Sequence, residues 1–346
     1  MSTVTPTPSV ASPLLWGVTL AGVLFFFAVD FVLTRRPHTV KFREALGWTA
    51  FYLALPIIFG IFAWQRFGSQ TAVDYFTGYL VEKSLSVDNL FVFMLLIAAF
   101  AVPAVLTQRV LLYGIAGALV LRGVFIAIGA AAVQAVSWTF LIFGAILLFT
   151  AIKILRDTVT GADHEVDVSS LRSVRLVRRL MPVTDDYQGP NLTARLGNRR
   201  ALTPLALVVV AVFGTDLVFA VDSIPAVYGV TQDPYLVFTA NAFSLFGLRA
   251  LYFVLQSTLS KLVHLGYGLA VILAFIGVKL ILHWAHGSWS WLPEIPTPIS
   301  LAVIVATLVT VTLTSLHAGR PAAAVPAAPD VARQKAGRAR EPGRPR

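Results

Sequence analysis

The sequence contains no cysteine, which removes disulfide frameworks, zinc-thiolate sites and dithiol redox chemistry together. A metal handled by this chain meets oxygen or imidazole nitrogen. Charge is also scarce: 13% of the 346 residues are Asp, Glu, Lys or Arg, 57% are apolar, and the mean hydropathy is +0.78. Globular domains average about 25% charged and 45–50% apolar, so a soluble enzyme is excluded. No Walker sequence is present, and any work the chain does must draw on ion gradients or the membrane potential rather than on a bound nucleotide. The net charge of +10 invites a nucleic-acid reading, but the basic residues fall between apolar runs and in the tail. No nucleic-acid partner is expected.

What the chain has instead is long apolar runs, each near the length that crosses a hydrocarbon core of about 30 Å. Nine spans are predicted, at about 14–34, 46–64, 72–99, 110–132, 135–156, 201–230, 236–257, 262–284 and 297–317. The fold class is therefore all-α, a polytopic membrane protein. The first span has no basic region before it and is followed by Arg35 and Arg36, so it reads as an uncleaved anchor with its N-terminus outside. Alternation then places Arg35, Arg36, Lys41 and Arg43, next Arg109, next the arginines from Arg172 to Arg200, next Lys261, and last the tail on one side. The opposite loops hold only Arg66. Lys and Arg concentrate in cytoplasmic loops, which predicts an inner-membrane protein with its N-terminus out and its C-terminus in.

Residues 1–317 form one transmembrane domain, interrupted by a basic cytoplasmic loop over 157–200. In that loop Leu171, Val174, Val177, Leu180 and Met181 recur at helical spacing, with Arg172, Arg175, Arg178 and Arg179 between them. The pattern suits either a short helix lying on the anionic inner leaflet or a solvated basic linker. Residues 318–346, rich in Ala, Pro and Arg, are expected to be a disordered tail.

The two halves of the chain resemble each other. Glu82 and Asp88 align with Asp216 and Asp222, 134 positions on; Leu121-Arg122-Gly123 aligns with Leu248-Arg249-Ala250; Phe149 to Lys153 aligns with Phe275 to Lys279. Each unit, about 72–156 and 201–284, holds three spans. An odd number means the second unit enters the membrane from the side opposite the first, giving an inverted repeat, a transporter signature with functional groups near the midplane.

Five acids fall inside spans: Asp30, Glu82, Asp88, Asp216 and Asp222. Each ionised carboxylate at the bilayer centre costs at least about 2.5–3.5 kcal/mol. The compensating charge is either basic, from Lys83, Arg122, Lys153, Arg249 and Lys279, or a cation that comes and goes. Oxygens of Asp, Asn and Ser suit Mn²⁺, Ca²⁺ or Mg²⁺ rather than copper or zinc. Residues six apart on a helix are separated by about 240° and 9 Å, so the acids of one span cannot share an ion on an undistorted helix. Either the helices unwind, as Gly214 and Pro225 would favour in the second unit, or each unit gives one acid to a shared site. Asp30 reads as a peripheral ligand, a proton acceptor or an interfacial partner of Arg35. His283 and His286, beside Trp284, Trp289 and Trp291, have metal-ligand spacing but read as interfacial residues at the outer surface. No His or Cys accompanies the midplane acids, so hydrolytic activity is not expected.

The blocks Ser86 to Phe93, Phe219 to Val227 and Asn241 to Phe253 closely resemble the TerC family of integral membrane proteins, over about residues 10–285. The resemblance implies an inner-membrane protein associated with tellurium resistance, metal homeostasis and Mn²⁺ export, akin to lysine exporters. It places Glu82, Asp88, Asn89, Asp216, Asp222, Ser223 and Asn241 in the motif positions as metal ligands, with Asp30, Arg122 and Arg249 as accessory groups. Where some members carry a Glu three residues before the counterpart of Asp216, this chain has Phe213. The expected function is a secondary transporter exporting a divalent cation, Mn²⁺ or Ca²⁺, as transported ion with no permanently bound cofactor. The alternatives are a non-transporting scaffold for tellurium- or metal-stress factors, or an exporter of another small solute. Besides the lipid bilayer, a second copy of the chain or a stress protein docked on the cytoplasmic loop are the partners such roles would require.

Overall fold

The predicted spans form as helices in the computed structural model, which describes residues 9–33, 42–160, 172–184, 186–196, 199–255, 264–289 and 291–318. In chain order these are α1 (Pro13–Leu33), α2 (Phe42–Phe67), α3 (Ser69–Ala99), α4 (Ala104–Ala135), α5 (Thr139–Thr160), α6 (Arg172–Leu180), α7 (Pro204–Tyr228), α8 (Pro234–Leu245), α9 (Leu248–Leu255), α10 (Leu265–Ser288) and α11 (Thr297–Ala318). Among the described residues, eight helical segments, with α8 and α9 counted together, are long and apolar enough to cross a membrane. The ninth expected span is α3. At 31 residues it is long enough, but Asp74, Glu82, Lys83 and Asp88 keep its composition short of that standard.

Local sequence sets the helix ends. Pro204 and Pro234 open α7 and α8, where a missing N–H costs nothing. Asp233 caps α8 by accepting from Tyr235 N (2.9 Å), and the same carboxylate accepts from Ser9 Oγ (3.0 Å) and Val10 N (2.7 Å). The start of α1 is thereby tied to the start of α8 on one face of the bundle. On the other face Tyr187 donates its hydroxyl to Phe100 O (2.8 Å), and Arg109 reaches Pro190 O (3.4 Å). Burial pushes the Tyr187 phenol up to about 12, so it remains a donor throughout the physiological pH range.

Helix packing follows the internal repeat. Exchanging α3 with α7, α4 with α8 and α9, and α5 with α10 leaves the principal contacts unchanged: α3 lies on α8 as α4 lies on α7, α3 meets α7, and α5 meets α10. This arrangement is compatible with an inverted repeat. The α5–α10 contact is the most extensive, and its closeness depends on two glycines. A Cβ on Gly144 would lie 2.8 Å from the carbonyl oxygen of Gly277, and one on Gly277 would lie 3.0 Å from that of Gly144. Small residues that let backbones touch are the usual means of holding helices together in lipid, where apolar burial between helices gains little.

Two apolar cores lie along the same helices. One takes Val81 and Leu85 of α3, Ile126 and Val133 of α4, and Ala220, Ile224 and Tyr228 of α7. The other takes Leu90, Phe93 and Ile97 of α3, Leu106 and Ala118 of α4, and Leu205 and Val212 of α7. Between them, at 82–89, 122 and 216, the helices carry their buried charges. Asp216 is the central residue of α7, about 18 Å from either end.

The short helix predicted in the 157–200 region forms as α6, and two residues of its apolar face turn to the protein: Val174 is 1% exposed within the second core and Val177 packs against it. Arg175 and Arg179 face outward. Further along, β1 (Thr193–Leu196) pairs antiparallel with β2 (Arg199–Leu202), Ala194 opposite Ala201, which periodicity did not predict. Arg35, Arg36, Lys41, Leu171, Lys261 and the tail from 319 lie outside the described residues, as do the side chains of Arg172, Arg178 and Leu180.

Replacing Gly277 with Val is expected to force α5 and α10 apart and to cost about 1–3 kcal/mol or more. Thermal unfolding of the detergent-purified protein should occur at lower temperature than wild type. Gly22→Ala, at a position with open space around it, should unfold no earlier than wild type.

Candidate functional site

The centre of the polar layer is Arg122 of α4, fully buried. One guanidinium nitrogen bonds the Glu82 carboxylate of α3, and the other bonds Asp216 Oδ1 of α7 at 3.1 Å. Glu82 and Asp216 are 0% and 1% exposed. Asn89, one turn beyond Leu85 on α3, joins them: with its amide oriented to satisfy both neighbours, it accepts from Arg122 at 2.9 Å and donates to Leu85 O at 3.0 Å.

The two acids that meet on Arg122 are the repeat-matched pair, Glu82 from one unit and Asp216 from the other. Their second oxygens, Glu82 Oε2 and Asp216 Oδ2, are buried and accept no hydrogen bond from the described residues; Ser223 Oγ, and Asn241 Nδ2 as a donor, are buried and likewise find no partner among them. The other matched pair is half-buried, and Asp222 lies within electrostatic reach of both Arg122 and Asp88. Among the described residues no three His, Asp or Glu side chains converge as a ready metal cage.

α3 runs unbroken through 82–88 and α7 through 216–222, so the unwinding expected around Gly214 and Pro225 does not occur. Pro225 falls in the last turn of α7, and Gly214 instead receives Ser173 of α6, whose Oγ would lie 2.8 Å from an added Cβ. The interruption lies between α8 and α9. There Phe246 leaves the helix and Gly247 adopts φ +77°, with Tyr52 too close for a Cβ; glycine satisfies both demands. Lys83 donates to Ser244 O at 3.2 Å, and Ser86 and Ser244 share a hydroxyl hydrogen bond of 2.9 Å. An ammonium therefore sits on the negative end of the interrupted helix.

Arg249, the repeat counterpart of Arg122, pairs with Asp30 of the unrepeated α1 at 2.5 Å and reaches Gln108 at 3.5 Å, while Tyr52 donates to the same Asp30 oxygen at 2.9 Å. Asp30 is thus held inside the bundle by Arg249. The remaining intramembrane lysines differ: Lys279 donates to Ser300 Oγ of α11 at 3.1 Å, whereas Lys153 is exposed. Phe213 packs on Gly117, where an added Cβ would meet its ring at 2.6 Å. Tyr52, Gln108 and the helix break were not found from sequence. Gly247 was the one local signal for the break, and nothing in the apolar pattern marked the other two.

Helices that cross a membrane around a buried, repeat-related charge layer define a polytopic integral membrane protein. The model of the integral membrane protein TerC family matches residues 67–322, and the chain belongs to that family. The match begins at the end of α2 and includes α11, so it extends past the 10–285 range of the sequence resemblance at one end and falls short at the other. The chain is 46% identical over 277 residues to an uncharacterized membrane protein of Mycobacterium tuberculosis, covering 80% of this chain and 70% of that protein. It is 38% identical over 303 residues to an uncharacterized membrane protein of Myxococcus xanthus, covering 87% and 91%. It is also 38% identical over 312 residues to an Escherichia coli (strain K12) protein named "Putative membrane-bound redox modulator Alx", covering 87% and 94%. No solved structure matches the chain.

Removing one partner of a buried ion pair leaves the other charge uncompensated, at about 3–5 kcal/mol. Arg122→Gln is expected to lower the yield and thermal stability of folded protein by that order. Adding Glu82→Gln and Asp216→Asn should recover most of the loss, as measured by thermal unfolding of the purified single and triple variants beside wild type.

Proposed function

We propose that the chain is a secondary transporter that exports a divalent cation, with Mn²⁺ as the cargo and Ca²⁺ as the related hard cation. The observation that carries this reading is a pair of buried carboxylates, one from each repeat, that share a single guanidinium. Glu82 and Asp216 both bond Arg122, and their second oxygens take no hydrogen bond from the described residues. With all three groups ionised the trio is one negative charge in excess. In a low-dielectric interior such an excess demands neutralisation, and a divalent cation or protons supply it. Exchange of the two across the same carboxylates gives export driven by the proton gradient.

The oxygens that would receive the ion are those without protein partners, Glu82 Oε2 and Asp216 Oδ2, together with Asp88 and Asp222 and the neutral groups of Asn89, Ser223 and Asn241. Hard oxygen ligands of this kind favour Mn²⁺, Ca²⁺ or Mg²⁺. Arg122 and the cation are alternative counter-charges for the Glu82 and Asp216 pair, so the guanidinium limits how tightly an ion is held and helps it leave. Asp30, Arg122 and Arg249 act as accessory groups. Under this reading the face carrying α6 and the hairpin is cytoplasmic, in accord with its arginines.

A redox role, suggested by the name of the Escherichia coli relative, cannot run through thiols here, because the sequence has no cysteine. A scaffold reading draws on the outward arginines of α6 but leaves the charge excess at mid-span without a use. Tellurite is an anion, so a carboxylate site would affect it only indirectly.

Liposomes containing the purified protein should take up Mn²⁺ along a proton gradient, and Asp88→Asn and Asp222→Asn should each abolish the flux while leaving the folded yield intact. Unchanged flux in both variants would overturn the site. Absence of flux from folded wild type would overturn the transport reading and leave the scaffold.

A further inference from the structure

A second group of polar side chains lies away from the midplane, on the face where α3 begins and α7 and α10 end. They line a cavity of about 460 Å³ and include Gln70, Gln232, Lys279, His283, Glu294 and Thr297. In so apolar a chain this convergence from four separate segments is itself unusual. Each group is oriented. His283 Nδ1 lies 2.8 Å from Glu294 Oε1, and its Nε2 lies 3.1 Å from the Gln232 amide. Gln70 donates to Asp74 at 2.9 Å, placing a second carboxylate behind the cavity, and the Lys279 ammonium is drawn toward α11 by Ser300.

With Nδ1–H donated to the Glu294 carboxylate, Nε2 of the neutral ring accepts from the Gln232 amide nitrogen, a bond that turning the amide over would exchange for a cation held by Nε2 and the amide oxygen together. Metal-ligating histidines are held in this way. His286, which shares the ligand-like spacing, is taken instead by Leu292 O at 2.6 Å. At roughly 30 Å³ per water, the cavity accommodates about fifteen waters, enough for a divalent ion with most of its hydration shell.

The cavity is also placed on the route from the acids. Tyr228 forms part of its floor and stands six residues beyond Asp222 on α7, about 9 Å along the axis. Its hydroxyl donates to Ile126 O at 2.7 Å, one turn of α4 beyond Arg122. Tyr228, with the apolar core packed around it, lies between the cavity and the charged layer.

We propose that this cavity is the outer vestibule of the cation path, a weak site in which His283 Nε2 and the Gln232 amide oxygen hold a hydrated divalent ion after it passes Tyr228. The assignment rests on the export reading above. Two protein ligands and retained water make a site that fills and empties readily, as an exit requires. Glu294 acts through His283 as a positioning residue.

The test uses full-length protein in nanodiscs titrated with Mn²⁺, with the free ion followed by its electron paramagnetic resonance signal. His283→Ala should remove the weaker class of bound Mn²⁺, and Glu294→Gln should weaken it about 10–100-fold, while the Asp88→Asn, Asp222→Asn double variant keeps it. Equal weak binding by wild type and His283→Ala would overturn the vestibule. Because binding is read without flux, its outcome is separate from that of the transport assay. The absence of cysteine permits a second measurement: a Thr297→Cys variant should react with a membrane-impermeant maleimide several-fold more slowly in Mn²⁺ than in its absence. An unchanged rate would also count against the proposal.

Discussion

A guanidinium shared by two carboxylates, far from water, is the constraint on which the rest of the structure depends. An isolated charge at mid-bilayer is too costly to keep, so Glu82, Arg122 and Asp216 must arrive together from three helices. Their meeting fixes how α3, α4 and α7 rotate about their axes, and the apolar cores on either side follow from that choice. Arg122 bonds acids from both repeats, so the same contact that satisfies a charge also joins the two halves of the chain.

The repeats are alike in packing and unlike in detail, and the difference concerns where charge is settled. Arg122 lies on an unbroken helix between two repeat acids. Arg249, its counterpart, follows the break at Gly247 and turns to Asp30 on a helix outside the repeat. Lys83, instead of pairing with a carboxylate, rests on the carbonyl end that the break exposes. Each departure from two-fold likeness therefore has a charge or a backbone dipole as its cause.

The spans were legible because hydropathy and the distribution of arginines act over whole segments, and the charged members of the repeat stood out against apolar filler. That neighbouring acids of one span would not meet also followed, since a helix cannot bring residues six apart to one point, but which acids would face each other across the repeat did not. Sequence was silent on the break, because Gly247 is one glycine among many and its φ of +77° depends on Tyr52 from another helix. It was misleading at Gly214 and Pro225, where a composition suited to unwinding serves close packing and a helix end. Tyr52 and Gln108 are invisible to any periodicity, since they act across the bundle.

The contact between Ser173 and Gly214 carries one more consequence. Gly214 is two residues from Asp216, so a nine-residue helix of the loop rests against the wall of the charged layer, with Val174 sealed into the core beside it. The segment linking the two halves is thus a structural member of both. Its outward arginines and its inward valines belong to the same two turns, and whatever holds the one surface in place bears directly on the other.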